Sequence, residues 1–184
     1  PVASVVLLIA CRSQPPQEGI FGLIIEDLNG EQMALTQMRQ HKASVLIFLS
    51  PECPLSENYT MQVTEYTNRY KGDDIIFYNV FPGRFYSREE IASFTNEFRL
   101  DNPTLLDPDY LLTKYVNATI TPEAFLLDES GAILYSGAID NWAIVLGQQR
   151  REATTFYLVD AIRNHLDGEP IETASAKAVG CFIE

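Results

Sequence analysis

Two cysteines of this chain stand where sulfur chemistry is possible, in different surroundings. Cys53 closes the stretch Val45-Leu46-Ile47-Phe48-Leu49-Ser50-Pro51-Glu52-Cys53 and is followed at once by Pro54-Leu55-Ser56. Proline suits the first position of a helix, where its missing N–H forfeits no bond, so Cys53 is predicted at a helix N-terminus. Unpaired N–H groups and the helix dipole favour the thiolate there, and the thiolate is the attacking form of sulfur. The other reading of Cys53 is an inert, buried cysteine that packs as a small hydrophobe. Cys181 lies in Val179-Gly180-Cys181-Phe182-Ile183-Glu184, near the end of the sequence. Its preceding glycine permits unusual backbone angles, and Phe182-Ile183 is an apolar pair that can dock a tail. A sulfur trapped as sulfenic acid or mixed disulfide needs a second thiol to release it, and Cys181 is the candidate resolver. Structural pairing, or packing alone, is the alternative for Cys181.

A reactive Cys53 requires a strand before it and a helix after it. Ala43–Leu49 reads as a buried strand, rich in branched side chains and flanked by turn formers. A helix follows from Pro54 to about Tyr70, closed by Lys71-Gly72, with Tyr59, Tyr66 and Tyr70 as packing residues. Upstream, Phe21–Leu28 and the Asn29-Gly30 turn begin a small β unit. Downstream, Asp74–Val80 reads as a second buried strand, and Ser87-Arg88-Glu89-Glu90 has capping-box spacing ahead of Ile91, Phe94 and Phe98 on one helical face. Thr104–Asp107 is strand-like and Asp109–Val116 a short helix. Glu123–Asp128 and Ala132–Ser136 flank Glu129-Ser130-Gly131 as a hairpin, and Phe156, Val159, Ile162 and Leu166 mark a last helix. The order implies an α/β fold, a mixed central sheet flanked by helices, with an N-terminal β extension. The tail from Asp167 carries glycine, proline and small residues and is expected to be irregular.

The chain has 184 residues, 46% of them hydrophobic, enough for one domain with a full core. Its formal charge of −12 disfavours nucleic acid and anionic membrane surfaces as partners. Val2–Ala10 is an apolar run of signal-peptide length, too short to span a bilayer. Leu8-Ile9-Ala10-Cys11 resembles a bacterial lipobox, in which cleavage leaves the cysteine as a lipid-modified first residue; an ordinary strand is the alternative. The basic start of a leader is missing, so the sequence is expected to begin inside one. That reading divides the chain into an anchor and linker (1–18), a domain (19–167) and a tail carrying Cys181 (168–184). It places the protein on the periplasmic side of the bacterial envelope, touching the membrane only through Cys11, in a compartment where disulfides persist.

On two motifs, the chain from about Gly19 to Leu166 resembles the thioredoxin-like superfamily, in its redoxin or peroxiredoxin-like (AhpC/TSA) branch. One is Ser50-Pro51-Glu52-Cys53-Pro54-Leu55-Ser56, where the superfamily keeps its Cys-x-x-Cys. The other is Ile120-Thr121-Pro122-Glu123-Ala124-Phe125-Leu126-Leu127-Asp128, similar to the Thr-Pro segment whose cis-proline faces the active cysteine. The resemblance implies thiol-based redox chemistry, with Cys53 attacking, Ser50 and the helix amides supporting the thiolate, and Pro122 shaping the substrate groove. Ser56 stands where a dithiol enzyme has its resolving cysteine. Leu46 replaces the leading proline of the peroxiredoxin pattern, and no arginine adjoins Pro122, leaving Arg84, Arg99 or Arg150 to complete a peroxide pocket. Glu52, beside the sulfur, would raise its pKa.

Three functions stay open. One is thiol–disulfide exchange with protein or small-molecule thiols and disulfides, served by a thiol electron donor. Another is peroxide reduction by the same cysteines, and the third a redoxin-fold binding protein without chemistry. No cofactor is implied, and no metal, since His41 and His165 lack ligand spacing and His165 reads as a surface or packing residue. Asp140-Asn141-Trp142 either lines the groove or is a surface loop in which Trp142 caps the core. Glu123 either positions a water or a thiol proton or faces solvent.

Overall fold

The computed structural model describes residues 19–184; the expected lipid anchor at Cys11 lies outside the described residues. Two short 3-10 helices, Gly19–Gly22 and Leu35–Gln40, flank strands β1 (Ile24–Asp27) and β2 (Gln32–Ala34). Then come β3 (Ala43–Phe48), α1 (Pro54–Tyr70), β4 (Ile75–Pro82), α2 (Arg88–Glu97), β5 (Thr104–Asp107) and α3 (Leu111–Val116). Next follow β6 (Ile120–Thr121), β7 (Glu123–Asp128), β8 (Ile133–Gly137), β9 (Ala143–Val145), β10 (Gln148–Gln149) and α4 (Tyr157–Asp167). The chain closes with β11 (Ser175–Ala176) and β12 (Cys181–Phe182). Among the described residues the main sheet has eight strands in the order β11-β8-β7-β3-β4-β5-β1-β2.

The unbroken apolar reading of β3 follows from its place. It lies between β4, parallel, and β7, antiparallel, and all six of its residues are buried. Side chains alternate across a strand, so its two faces feed two cores. Val45 and Ile47 pack with Tyr59, Val63 and Tyr66 of α1 and with Leu158 and Ile162 of α4. Leu46 and Phe48 pack with Leu112 and Val116 of α3 and with Leu35 and Met38 of the second 3-10 helix. The helix-covered mixed sheet thus holds the end of β3 rigid from both sides, and Cys53 follows from there.

Local signals account for the helices. Pro54 opens α1, and the buried Tyr59, Val63, Tyr66 and Tyr70 recur at spacings of three and four. Both halves of the capping box form at α2: the Ser87 hydroxyl accepts from Glu90 N at 3.2 Å, and the Glu90 carboxylate accepts from Ser87 N at 2.7 Å.

The tail is more tied down than its composition suggests. Strand β11 joins the sheet edge parallel to β8, and β12 pairs antiparallel with β6, Cys181 opposite Thr121 and Phe182 opposite Ile120. Two glycines permit these approaches. A Cβ at Gly137 would lie 1.8 Å from the Ala176 carbonyl oxygen, and one at Gly180 would lie 2.1 Å from that of Thr121.

Candidate functional site

Cys53 is the N-cap of α1, with extended backbone angles (φ −87°, ψ 110°), and its N–H donates to Ser50 O at 3.1 Å. The residue is 1% exposed. Its Sγ lies 3.0 Å from the carbonyl oxygen of Thr121. The Thr121–Pro122 peptide bond is cis, and Thr121 ends β6 just before that bond. On the other side of Thr121, β12 presents Cys181, so one backbone carbonyl and one strand pairing bring the two sulfurs into the same neighbourhood. Both are free thiols, Cys53 buried and Cys181 half-buried.

Opposing influences set the ionisation of Cys53. The protonated thiol donates to Thr121 O, which favours the neutral form. Burial is the largest single influence and also opposes the charge, but the Cys181 thiol and the amide and hydroxyl of Ser56 stabilise the thiolate and together win. The Cys53 pKa is therefore held below its ordinary value. Burial and the neighbouring Cys53 sulfur push Cys181 the other way, up to about 11. The two neighbouring thiols thus differ in acidity, Cys53 being the more acidic.

Ser56, which in the sequence marks only the place of a missing cysteine, has a role of its own beside the sulfur. It is fully buried, and its Oγ accepts from Ser50 N at 3.2 Å, which leaves its O–H free for the sulfur. A signal existed: Ser56 is the third helical residue, whose N–H points at the N-cap side chain. The hydroxyl of Ser50, expected beside the thiolate, turns away from it and donates to the Tyr86 hydroxyl at 3.1 Å. Tyr86 also reaches Glu52 at 3.4 Å, so the carboxylate next to Cys53 in sequence faces a phenol.

A cleft of about 400 Å³ opens beside the sulfurs, lined by Ser50, Tyr86, Phe85, Tyr110 and Phe182 among others. Its charged lining is Glu52, Glu90 and Glu184, and none of the three arginines considered for a peroxide pocket reaches it. Arg84 pairs with Asp109 at 2.5 Å, and Arg150 donates to Asn141 O at 2.6 Å.

The Asp140-Asn141-Trp142 segment lies away from the cleft. Asp140 accepts from the Tyr59 hydroxyl at 2.6 Å and from Trp142 N at 2.8 Å, and the indole packs edge-on against Tyr59 at the core. Glu123 is half-buried, contrary to a solvent-facing position, because its carboxylate accepts from Thr119 N at 2.8 Å and Ile120 N at 3.3 Å. It anchors the start of β6. Burial raises its pKa, despite those two amides. His165 is half-buried in the last turn of α4 with its ring against Lys42 O. Among the described residues no group of three or more His, Cys, Asp or Glu side chains is placed to hold a metal ion.

No protein-family model and no curated protein sequence matches the chain. Solved structures do. A hypothetical protein from Sinorhizobium meliloti superposes with a TM-score of 0.76 at 20% identity, covering 88% of this chain and 89% of its own. An uncharacterized conserved protein from Geobacillus kaustophilus gives 0.74 at 19% identity, with 88% and 87% covered. A secreted Mycobacterium tuberculosis disulfide oxidoreductase, described as homologous to E. coli DsbE, gives 0.58 at 16% identity, covering 83% of this chain and 98% of its own. The chain has a thioredoxin-like fold, similar at low identity to that of thiol–disulfide oxidoreductases. Among the described residues no helix is long and apolar enough to cross a membrane.

Proposed function

We propose that the protein is a thiol–disulfide oxidoreductase in which Cys53 attacks and Cys181 resolves. The observation that carries this reading is the placement of Cys181 on β12, opposite Thr121, whose carbonyl touches the sulfur of Cys53, a thiol more acidic than an ordinary one. The Cys53 thiolate displaces one sulfur of a substrate disulfide, which leaves as a thiolate, and a mixed disulfide forms. Cys181 gives up its proton and attacks Cys53, forming the Cys53–Cys181 disulfide and releasing the second substrate thiolate. Two electrons pass to the substrate, and a dithiol donor returns them. Thr121, the last residue of β6, lines the wall across which this exchange occurs, and Pro122 lies behind it, buried, after the cis bond. Ser56 and Cys181 support the thiolate; Ser50 acts at one remove, by placing its N–H on Ser56.

Peroxide reduction is the weaker reading, because the cleft offers acidic side chains and no cation to hold a peroxide in line with the sulfur. Peptide mapping after reaction with a small disulfide tests the proposal. The expected product is a Cys53–Cys181 cross-link that is lost with either cysteine; turnover without that cross-link refutes the resolving role. Rapid Cys53 oxidation by hydrogen peroxide with slow disulfide exchange would move the assignment to a peroxidase, and neither reaction would leave a binding protein. The apolar run before Cys11 and the polar residues after it support an anchor on the outer side of a bacterial membrane. Its check is the mass of the N-terminal peptide of the mature protein, which should begin at a diacylated Cys11; an unmodified peptide that spans Cys11 removes the anchor.

A further inference from the structure

Cys53 must meet a substrate sulfur along the axis of the bond it breaks, yet it is 1% exposed. The segment nearest this approach is β12 and the residues after it: Cys181, Phe182, Ile183 and Glu184 line the same cleft as Cys53 and Thr121, with Cys181 paired opposite Thr121. We propose that β12 is a displaceable strap, seated by Gly180, which must leave β6 before an outside disulfide can reach Cys53. The inference deepens the proposed function by naming a gate on its first step.

The way the strap is held fits release. Its ties are backbone bonds: the two-residue ladder with β6, and Ile183 N to Thr119 O at 3.0 Å. Thr121 adds a long hydroxyl contact to Cys181 O at 3.5 Å, and Tyr110 donates to Glu184 O. Apolar anchoring is limited to one side chain: Ile183 packs half-buried against the core beside α3, while Phe182 is 79% exposed. Segments tied by a few edge hydrogen bonds and little buried apolar surface open locally without global unfolding. Gly180 is the point on which seating turns. Its backbone passes so close to β6 that a Cβ would sit 2.1 Å from Thr121 O and 2.7 Å from an Ile120 methyl. A methyl group there has no room, because a carbonyl oxygen of the sheet cannot yield as a flexible side chain does.

The seat also serves the second step, since it returns Cys181 to the neighbourhood of Cys53 after the substrate has docked. One strand thus closes the sulfur to chance oxidants and delivers the resolving thiol.

Alkylation of Cys53 by iodoacetamide tests this in a Cys181→Ser background, where one described thiol remains. The rate is followed to its alkaline plateau, at which Cys53 is fully ionised and the rate reports access alone. The plateau should lie well below that of a free cysteine peptide. Gly180→Ala should raise it by about tenfold or more, and so should deletion of residues 180–184, with unchanged far-ultraviolet circular dichroism. A bulky maleimide should show the larger contrast. Equal plateau rates in the seated and released proteins, or a parent that already reacts like the free peptide, would overturn the strap. Access that opens without any disulfide exchange in the two-cysteine protein would retain the strap and remove the redox reading.

Discussion

At the scale of single residues, the ionisation of Cys53 is favoured by two donors, neither of them a second cysteine in the Cys-x-x-Cys sense. Ser56 occupies the position of a resolving cysteine and works as a hydrogen-bond donor, while the second sulfur comes from the far end of the chain. Removing either donor should raise the Cys53 pKa, because each stabilises only the charged form. The sign for activity follows. Alkylation and exchange rise with pH through a midpoint below that of an ordinary thiol, and Ser56→Ala or Cys181→Ala moves this midpoint upward. Near neutral pH the alkylation rate in Ser56→Ala should fall by about tenfold, the worth of one hydrogen bond to a charged group. An unmoved midpoint in a folded Ser56→Ala protein would show that Ser56 only packs. Position alone marked Cys53 as a helix N-cap; that its thiol proton faces Thr121 required the folded chain, since 68 residues separate the two.

At the scale of elements, β6 is the piece that relates the cysteines, and it is two residues long. Such a strand cannot hold itself. Glu123 fastens it through two amides, and β12 pairs along it. Glu123→Ala should therefore destabilise the protein by about 1 kcal/mol, the net worth of its bonds from one exposed and one half-buried amide, and urea unfolding reads this directly. The same variant should also speed Cys53 alkylation; full stability with unchanged alkylation would mean that β6 needs no such anchor. The long elements β3, α1, β4 and α2 were legible because periodicity, capping and turn residues lie within each segment. The tail strands were not, because two residues of pairing leave no pattern in a sequence. Nor was the β9–β10 hairpin, whose exposed Ile144, Val145 and Leu146 follow no buried alternation.

At the scale of the whole molecule, charge reaches the site. The net charge of −12 is reinforced in the cleft by Glu52, Glu90 and Glu184, with no basic side chain in its lining. Field of one sign in a cleft concentrates ligands of the other sign. Cystamine, a dication, should therefore oxidise the dithiol form about tenfold faster than the dianion of 3,3′-dithiodipropionic acid at low ionic strength. The gap should shrink as salt is raised toward 1 M, where screening reaches only about 3 Å. Equal rates at low salt would show that contacts, not the field, choose the substrate.

The division between what the residues said in order and what the folded chain added follows from range. An apolar strand, a cysteine and a proline in succession suffice to specify a sulfur at a helix start, since every interaction involved is local. The Thr-Pro segment pointed to the fold through its resemblance. Whether that sulfur would have a partner, and which groups would bias its proton, depended on contacts closed across the whole length of the chain. Packing of β3 between two cores settles where Cys53 stands, and the close passage of Gly180 over Thr121 settles that Cys181 joins it. Neither distance is written in any short stretch of residues, because each is the sum of how all the intervening elements pack.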